Sequence, residues 1–321
     1  MATIPGGIFD QSGLDPAALQ AIDALLQQGG ISEDDFVPGD GSFSPVGSPY
    51  VFLEGNAPGA IVGGATDDFF VGNGGANVLI TGDGDDQAFG GAGDDAILGG
   101  GGNDGIFGGN GSDVLLGGDG NDVALGGEGS DAIAGDEGAD TVNGNQGDDI
   151  VLGGAGDDQV RGGQGSDLAL GGEGSDFVSG DLGDDTVNGN QGADTVQGGN
   201  GDDLVYGGQG NDSVEGGEGE DTVSGDRGDD TMSGGEGDDA FVLRSEGGAD
   251  VIVDFATGDV LQIQNGINGL DLSSPSDLLA LITTDSAGNA VINLGDGNSV
   301  TLLNLTEAEL RSQINSVVQI V

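Results

Sequence analysis

Aspartate recurs at every ninth residue over a long stretch of this chain, a spacing that aligns carboxylates for cation binding. Residues 63–242 divide without insertion or deletion into twenty nonapeptides with the consensus GGxGxDxUx, where U is apolar. Position six is Asp in every unit except the one that carries Asn77. Carboxylate oxygens are preferred ligands of hard divalent cations such as Ca²⁺. The candidate metal ligands are Asp68, Asp86, Asp95, Asp104, Asp113, Asp122, Asp131, Asp140, Asp149, Asp158, Asp167, Asp176, Asp185, Asp194, Asp203, Asp212, Asp221, Asp230 and Asp239.

The other consensus positions predict the elements that hold these carboxylates. Glycines permit sharp turns through positive φ, and position eight is apolar in all twenty units. The triplet around position eight predicts a short strand whose middle side chain faces inward. Two units make one turn, so the fold class is all-β, a parallel β-roll forming a right-handed solenoid of about ten turns. Departures at Thr66, Asn77 and Thr81 fall in the first three units, as expected of a capping transition.

Composition narrows the possible partners. The 321 residues include 58 Asp and Glu against four Lys and Arg, giving a formal net charge of −54, and contain no Cys or His. This charge repels nucleic acid, so no nucleic-acid binding is expected. The lack of Cys and His argues against zinc, haem and disulfides. Acidic chains are often disordered, but a disordered linker has no reason to keep an apolar residue at every ninth position.

Units such as GGAGDDAIL (90–98) and GGQGSDLAL (162–170) resemble RTX, or haemolysin-type, calcium-binding repeats, and the resemblance covers residues 63–242. It implies Ca²⁺ bound between successive turns on the same side, through the Asp carboxylate and backbone carbonyls. Multiple ions, roughly 18, would fill the two edges. The resemblance also implies that the chain folds on Ca²⁺ after export by a type I secretion apparatus. The protein would then be secreted, and extracellular or associated with the cell surface.

An N-terminal segment precedes the repeats. Residues 1–62 are expected to hold one helix between Asp15 and Gly29 and a Pro/Gly/Ser linker at 37–50. The first residues have neither the basic nor the apolar part of a secretory signal peptide. No run of 18 apolar residues occurs, so no membrane insertion is expected.

The nine-residue pattern ends before residues 243–321, which predict a C-terminal β-rich cap. Thr306 and Glu309 form a capping box for a last short helix. The segments DVIVDF and GDVLQI are similar to the region that follows RTX repeats in type I-secreted proteins. That similarity implies an uncleaved C-terminal export signal. The predicted strands are 250–255, 258–263, 290–294 and 299–305.

A second period of 45 residues predicts two unlike outer faces. Residues 126–170 realign with 171–215, and five units are an odd number, so each copied unit moves to the opposite sheet. The copies diverge by sheet: IVL (150–152) corresponds to TVQ (195–197). One sheet should therefore present an apolar stripe, covered by the chain's own termini or by another subunit, a polymer or a matrix. Residues expected to self-associate are Val114, Leu116, Ile150, Leu152, Leu168, Leu170, Leu204 and Tyr206.

Known catalytic patterns are missing from the sequence. H-E-x-x-H needs His, and no G-x-S-x-G occurs. Acidic pairs such as Asp94-Asp95 recur in turn after turn, which fits metal ligation better than glycoside hydrolysis. We therefore expect a non-enzymatic, self-assembling structural protein of the cell surface or matrix. The alternative is a calcium-dependent adhesin or binding module for an extracellular polymer. Ice binding is disfavoured because no regular Thr or Asn ladder exists.

Overall fold

A computed structural model of the protein describes residues 50–53 and 58–321. The predicted helix between Asp15 and Gly29 lies outside these ranges, as does the linker except for its last residue. The described residues form two compact units, with the boundary between Val151 and Leu152. Both are built mainly from parallel strands, which confirms the predicted solenoid fold class.

In the first unit, successive strands alternate between two parallel sheets. Odd-numbered strands pair with one another, and so do even-numbered strands. Partners lie 18 residues apart, as Thr141 and Val123 do, except at the first strand, where Tyr50 pairs with Phe69. Two nonapeptides therefore make one turn, as predicted. The strands are β1 Tyr50–Phe52, β2 Gly59–Val62, β3 Phe69–Val71, β4 Asn77–Asp83, β5 Gln87–Ala92, β6 Ala96–Gly101, β7 Gly105–Asn110, β8 Val114–Asp119, β9 Val123–Glu128, β10 Ala132–Glu137 and β11 Thr141–Gln146; β12, Ile150–Ala155, spans the boundary between the units.

The second unit repeats this arrangement up to residue 243. Here too the partners lie 18 residues apart, as Val178 with Val160 shows. The odd-numbered strands form one sheet and the even-numbered strands the other. The strands are β13 Gln159–Gln164, β14 Leu168–Glu173, β15 Phe177–Leu182, β16 Thr186–Gln191, β17 Thr195–Asn200, β18 Leu204–Gln209, β19 Ser213–Glu218, β20 Thr222–Arg227, β21 Thr231–Glu236 and β22 Ala240–Leu243.

Position eight supplies the narrow core of both units, as the sequence predicts. One side chain per strand points inward and is fully buried, and its neighbours on either side point outward. Mostly small and medium side chains fill the space between the two sheets. This space is narrow because each strand contributes only one inward side chain. Fully buried examples are Leu115, Ala124 and Val142 in the first unit and Val160, Val178, Val196 and Val205 in the second.

The strands are longer than the predicted triplets. A typical strand has six residues, as in β13, and runs through positions seven to nine and on through positions one to three of the next unit. Gly163, at position two, takes φ 118° and still pairs with Asp181 of the next turn, so the strand bends without ending. Where position two is not glycine it is Asp or Asn, the residues that best tolerate positive φ. Besides Asn73 in the second nonapeptide, these are Asp136, Asn145, Asp181, Asn190 and Asp226, and these five have φ between 66° and 75°.

After residue 243 the coil continues into a different arrangement. Three more strands add in parallel to the two sheets, and one of them also pairs with an antiparallel group of three. The capping box is confirmed: Thr306 Oγ1 accepts the N–H of Glu309, whose carboxylate accepts the N–H of Thr306 at 2.9 Å. The elements are β23 Ala249–Ile252, β24 Val260–Ile263, 3₁₀ turns Ile267–Gly269 and Pro275–Ala280, β25 Ile282–Thr284, β26 Ala290–Gly295, β27 Asn298–Leu302, α1 Glu307–Val317 and β28 Val318–Ile320.

Candidate metal centre

The position-six aspartates are almost completely buried from Asp86 onward. None from Asp86 to Asp239 is more than 4% exposed. An ionised carboxylate in such a place is costly unless it is hydrogen-bonded, paired with a cation or ligated to a metal. Asp68 differs because it is only half-buried.

One carboxylate oxygen is held by the backbone of the preceding turn. In the first unit the N–H of Asp86 donates to Oδ1 of Asp104 at 2.8 Å, and the N–H of Asp104 donates to Oδ1 of Asp122 at 2.7 Å. In the second unit the N–H of Asp176 donates to Oδ1 of Asp194 at 2.8 Å. Each turn is thereby tied to the next through the aspartate ladder. The same hydrogen bond fixes the rotamer of each carboxylate in the ladder.

The other carboxylate oxygen, Oδ2, is buried and accepts no hydrogen bond from the protein. A buried acceptor without a donor is rare in native structures and calls for an explanation such as a bound ion. Here it recurs once per turn on both edges of each unit. The aspartates that show it include Asp86, Asp95, Asp104, Asp113, Asp122, Asp131, Asp176, Asp185, Asp194, Asp203, Asp212, Asp221, Asp230 and Asp239.

Glycine at position one leaves space beside this oxygen. A Cβ on Gly99 would lie 2.4 Å from Oδ2 of Asp104 and 2.4 Å from the carbonyl oxygen of Gly117 in the next turn. In the second unit a Cβ on Gly189 would lie 2.4 Å from Oδ2 of Asp194. Position one is therefore glycine because a side chain would occupy the place where a carboxylate and a neighbouring carbonyl oxygen converge.

Burial raises the pKa of many of the buried position-six carboxyl groups above the usual 3.8. The pKa of Asp104 is raised to about 6, chiefly by desolvation, although the hydrogen bond from the backbone of Asp86 opposes the shift. The same cause raises the pKa of Asp203 to about 7 and that of Asp95 to about 8. Without a cation nearby, the ionised form is therefore disfavoured in the folded chain. A divalent cation would reverse that preference.

These residues fit Ca²⁺ on the chemistry of the donor set. In the part of the chain that the structure describes, no three acidic side chains surround one point. A site here would instead combine a carboxylate oxygen with backbone carbonyl oxygens such as that of Gly117. Ca²⁺ accepts such mixed oxygen ligands in flexible geometries, whereas Mg²⁺ demands a near-ideal octahedron. The metal role of the nineteen aspartates stays a prediction.

The first turns are built differently. Oδ2 of Asp68 accepts the N–H of Gly64 at 3.3 Å, and Oδ1 of Asn77 accepts the N–H of Asn73 at 2.7 Å. In these first turns a backbone N–H of the same turn thus donates to the side-chain oxygen. In the later turns the corresponding oxygen, Oδ2, has no donor. This agrees with the expectation of a capping transition in the first three units.

Two aspartates that the nine-residue pattern does not contain continue the ladder. Oδ1 of Asp250 accepts the N–H of Asp230, and Oδ1 of Asp259 accepts the N–H of Asp239, each at 3.2 Å. Their spacing from the previous aspartate is 20 residues rather than 18, so repeat counting missed them. The only signal was their place at the start of the DVIVDF and GDVLQI segments.

The predicted apolar stripe lies on the outer side of the even-numbered strands. Ile150 is 47% exposed and Leu204 is 41% exposed. The other members, Val114, Leu116, Leu152, Leu168, Leu170 and Tyr206, are half-buried. The guanidinium of Arg244 lies over the ring of Tyr206, 5.6 Å from its centre. Self-association through this stripe stays a prediction.

The first unit also carries an aromatic ladder that sequence reasoning missed. On its odd-numbered strands, Phe89 and Phe107 stack with ring centres 4.6 Å apart, and Phe69 lies 5.4 Å from Phe89. These residues flank the buried Ala88 and Ile106, so they point outward. Both outer faces of this unit are therefore partly apolar.

No helix in the described residues is long and apolar enough to cross a membrane.

A two-sheeted parallel coil with a buried carboxylate at a fixed place in each nonapeptide defines the class: a β-roll of calcium-binding type. The sequence profile of the RTX calcium-binding nonapeptide repeat matches in overlapping windows from residue 62 to residue 252. The chain belongs to this RTX repeat family, whose repeats bind Ca²⁺. The resemblance seen in the sequence is thus confirmed.

One solved structure similar to this chain is the extracellular lipase LipA from Serratia marcescens. The identity is 15%, over 85% of this chain and 42% of the lipase, with a TM-score of 0.25. The chain thus spans less than half of the lipase's length, and at this score the likeness carries no argument about activity. No curated protein matches the chain.

Proposed function

We propose that this protein is a secreted, non-enzymatic structural component of the cell surface or extracellular matrix, whose β-roll folds on Ca²⁺ after export. The carrying observation is the row of buried Oδ2 atoms without a protein donor. Roughly 18 ions would occupy the two edges, one for each junction between turns. At Ca²⁺ one- to tenfold above a site's dissociation constant, each ion would contribute roughly 0.4–1.4 kcal/mol. Summed over many sites, this contribution would decide whether the chain folds.

Chelation tests the calcium requirement of the whole chain. We expect far-ultraviolet circular dichroism to show coil in EGTA and strand after millimolar Ca²⁺ is added, because unpaired buried carboxylates oppose folding. Millimolar Mg²⁺ serves as the control and should not restore the strand signal, since Mg²⁺ dehydrates reluctantly and requires strict geometry. A strand spectrum that persists in EGTA would refute the proposal.

Export through the C-terminus is supported by the likeness of the DVIVDF and GDVLQI region to type I-secreted proteins. We expect deletion of residues 270–321 to leave the chain in the cytosol of a host that carries a type I secretion apparatus. The matched control removes a similar length, residues 1–49, and should leave secretion unchanged. Equal secretion of the two truncations, measured by immunoblot of medium and cells, would contradict the proposal.

The absence of catalysis is supported by how the acidic pairs are engaged. Oδ1 of Asp95 accepts the N–H of Asn77 at 2.7 Å, and Oδ1 of Asp94 accepts the N–H of Ser112 at 3.0 Å. Both carboxylates of this pair therefore connect neighbouring turns, and their roles are structural. Turnover of an ester, peptide or glycan by the purified protein would overturn this part of the proposal.

A further inference from the structure

The end of the nonapeptide array leaves two candidate cation positions with different surroundings. Asp230 and Asp239 are the last position-six aspartates of the two edges, and each is 1% exposed with an Oδ2 that has no donor. Each is followed, 20 residues later, by an aspartate that accepts its backbone N–H. Asp250 and Asp259 thus occupy the next aspartate position along each of the two edges, although neither belongs to a nonapeptide.

The two final rungs differ at Oδ2. Oδ2 of Asp259 accepts the N–H of Ala256 at 2.6 Å. That bond matches the ones made by Asp68 and Asn77 at the other end of the array, where a backbone N–H also occupies this place. Among the described residues, no donor reaches Oδ2 of Asp250, although the residue is only 7% exposed.

We propose that Asp250 is a further Ca²⁺ ligand, which forms with Asp230 a cation site between the last nonapeptide turn and the C-terminal region. Asp259 is not a ligand, because the N–H of Ala256 takes the cation's place at Oδ2. This inference rests on the proposed function, since it needs the roll to bind Ca²⁺. The row of cation sites on the edge that holds Asp230 would therefore continue for one site beyond the repeats. The row on the other edge would end at Asp239.

The backbone around Asp250 supports this assignment. The neighbouring Asp254 already has donors: its Oδ1 and Oδ2 accept the N–H groups of Gly234 and Gly235 at 3.1 and 3.0 Å. Asp254 therefore closes the hydrogen bonding of the last turn without a cation. Asp250 is the one of the two that resembles the interior aspartates, with Oδ1 held by the previous turn and no donor at Oδ2.

A cation at this place would connect the roll to the C-terminal strands. Asp250 lies in β23, which pairs in parallel with β21 of the roll on one side and with β27 on the other. β27 in turn pairs with β26, and β26 with β25. Order in these strands should therefore depend on the Ca²⁺ concentration through Asp250.

The test compares three substitutions in the full-length chain: Asp250→Asn, Asp259→Asn and, within the roll, Asp194→Asn. Asn keeps the Oδ1 acceptor, so the hydrogen bond from the preceding turn survives while the charge is removed. Bound Ca²⁺ is counted by native mass spectrometry, and amide hydrogen exchange is followed in β23 and β27 at limiting Ca²⁺. We expect Asp250→Asn to lose one ion and to exchange about tenfold faster in these strands. Asp259→Asn should retain the wild-type count.

The outcomes separate this inference from the proposed function. A lost ion in Asp194→Asn with the wild-type count in Asp250→Asn overturns the assignment of Asp250 and leaves the calcium-binding roll standing. Wild-type counts in both variants contradict the proposed function itself. If Asp250→Asn does not fold in saturating Ca²⁺, Asp250→Glu decides. Glu keeps the charge but moves the carboxylate by one methylene. The amides of β23 should then need about tenfold more Ca²⁺ to be protected from hydrogen exchange. An unchanged Ca²⁺ requirement overturns the inference.

Discussion

At the scale of the residue, one aspartate oxygen and one glycine define the repeated site. Oδ1 of each interior aspartate is committed to the backbone of the previous turn, and Oδ2 faces the space left by the position-one glycine. The two roles explain why neither residue varies within the array after the third unit. Asn77, at the start of the array, has neither role, because its Oδ1 accepts the N–H of Asn73 from its own turn.

Two alanine substitutions in the same strand test the role of position one. In Gly99→Ala the new Cβ would lie 2.4 Å from Oδ2 of Asp104, whereas in Gly101→Ala the nearest atom is 3.6 Å away. Neither glycine has positive φ, so backbone strain is not introduced in either variant. We expect Gly99→Ala to destabilise the calcium-bound fold by about 1–3 kcal/mol and Gly101→Ala to change it little. Urea unfolding at fixed Ca²⁺ measures both, and equal effects would argue against a cation site beside Gly99.

At the scale of the element, the two sheets of the second unit share an inward face but not an outward one. Inward side chains on both sheets are fully buried, and most of them are Val. Outward side chains are Leu and Tyr on β14 and β18 but Thr, Gln, Ser and Glu on β17 and β19. Apolar side chains on a regular, repeating face gain roughly 1.5–3 kcal/mol each if a partner covers them. Sheets in equivalent surroundings would have no reason to diverge in this way.

The double substitution Leu152→Asp with Leu170→Asp tests the apolar stripe as a contact surface. We expect calcium-induced folding to survive, because both side chains point outward, and assembly or surface retention to weaken. Thr195→Asp with Ser213→Asp is the matched control, since it places the same two charges on neighbouring turns of the polar sheet. Sedimentation velocity in millimolar Ca²⁺ compares both with the wild type. A wild type that sediments as a monomer would exclude self-assembly.

At the scale of the whole molecule, the carboxylate ladders make stability depend on Ca²⁺ and protons together. Burial raises the pKa of many aspartates, for example Asp104 to about 6 and Asp230 to about 7, against 3.8 in the unfolded chain. The metal-free fold therefore binds protons that the unfolded chain releases. Its stability is greatest below pH 3.8 and falls as the pH rises through the folded pKa values. Ca²⁺ acts in the opposite sense because it favours the ionised form.

Two pH effects follow for the wild-type protein. In buffer freed of divalent ions, lowering the pH from 7.5 to about 4.5 should increase the strand signal, because protons neutralise the buried carboxylates. At a pH of about 5 the folded, metal-free chain should release protons when Ca²⁺ is added, because a carboxyl group of pKa about 6 must lose its proton to bind the ion. A calcium titration at constant pH measures the protons released. A folded chain that binds Ca²⁺ at this pH without releasing protons would show that the aspartates are not the ligands.

The β-roll could be predicted from the sequence because its pattern is local. The nine-residue period, the alternation around position eight and the capping box of Thr306 and Glu309 each involve residues within a few positions of one another, so each leaves a local pattern. The 18-residue pairing followed because two nonapeptides close one turn. The aspartate ladder was visible for the same reason.

Other features depended on how distant turns meet. Only the tertiary structure decided that Asp250 and Asp259 join the ladder, because their 20-residue spacing has no meaning until β23 and β24 pair with β21 and β22. Only it distinguished the two carboxylate oxygens, since burial and hydrogen bonding at Asp104 come from the turns before and after it. A repeat determines which side chain points inward by alternation alone. What surrounds that side chain, and whether a donor or a cation meets it, is decided by the turns packed against it.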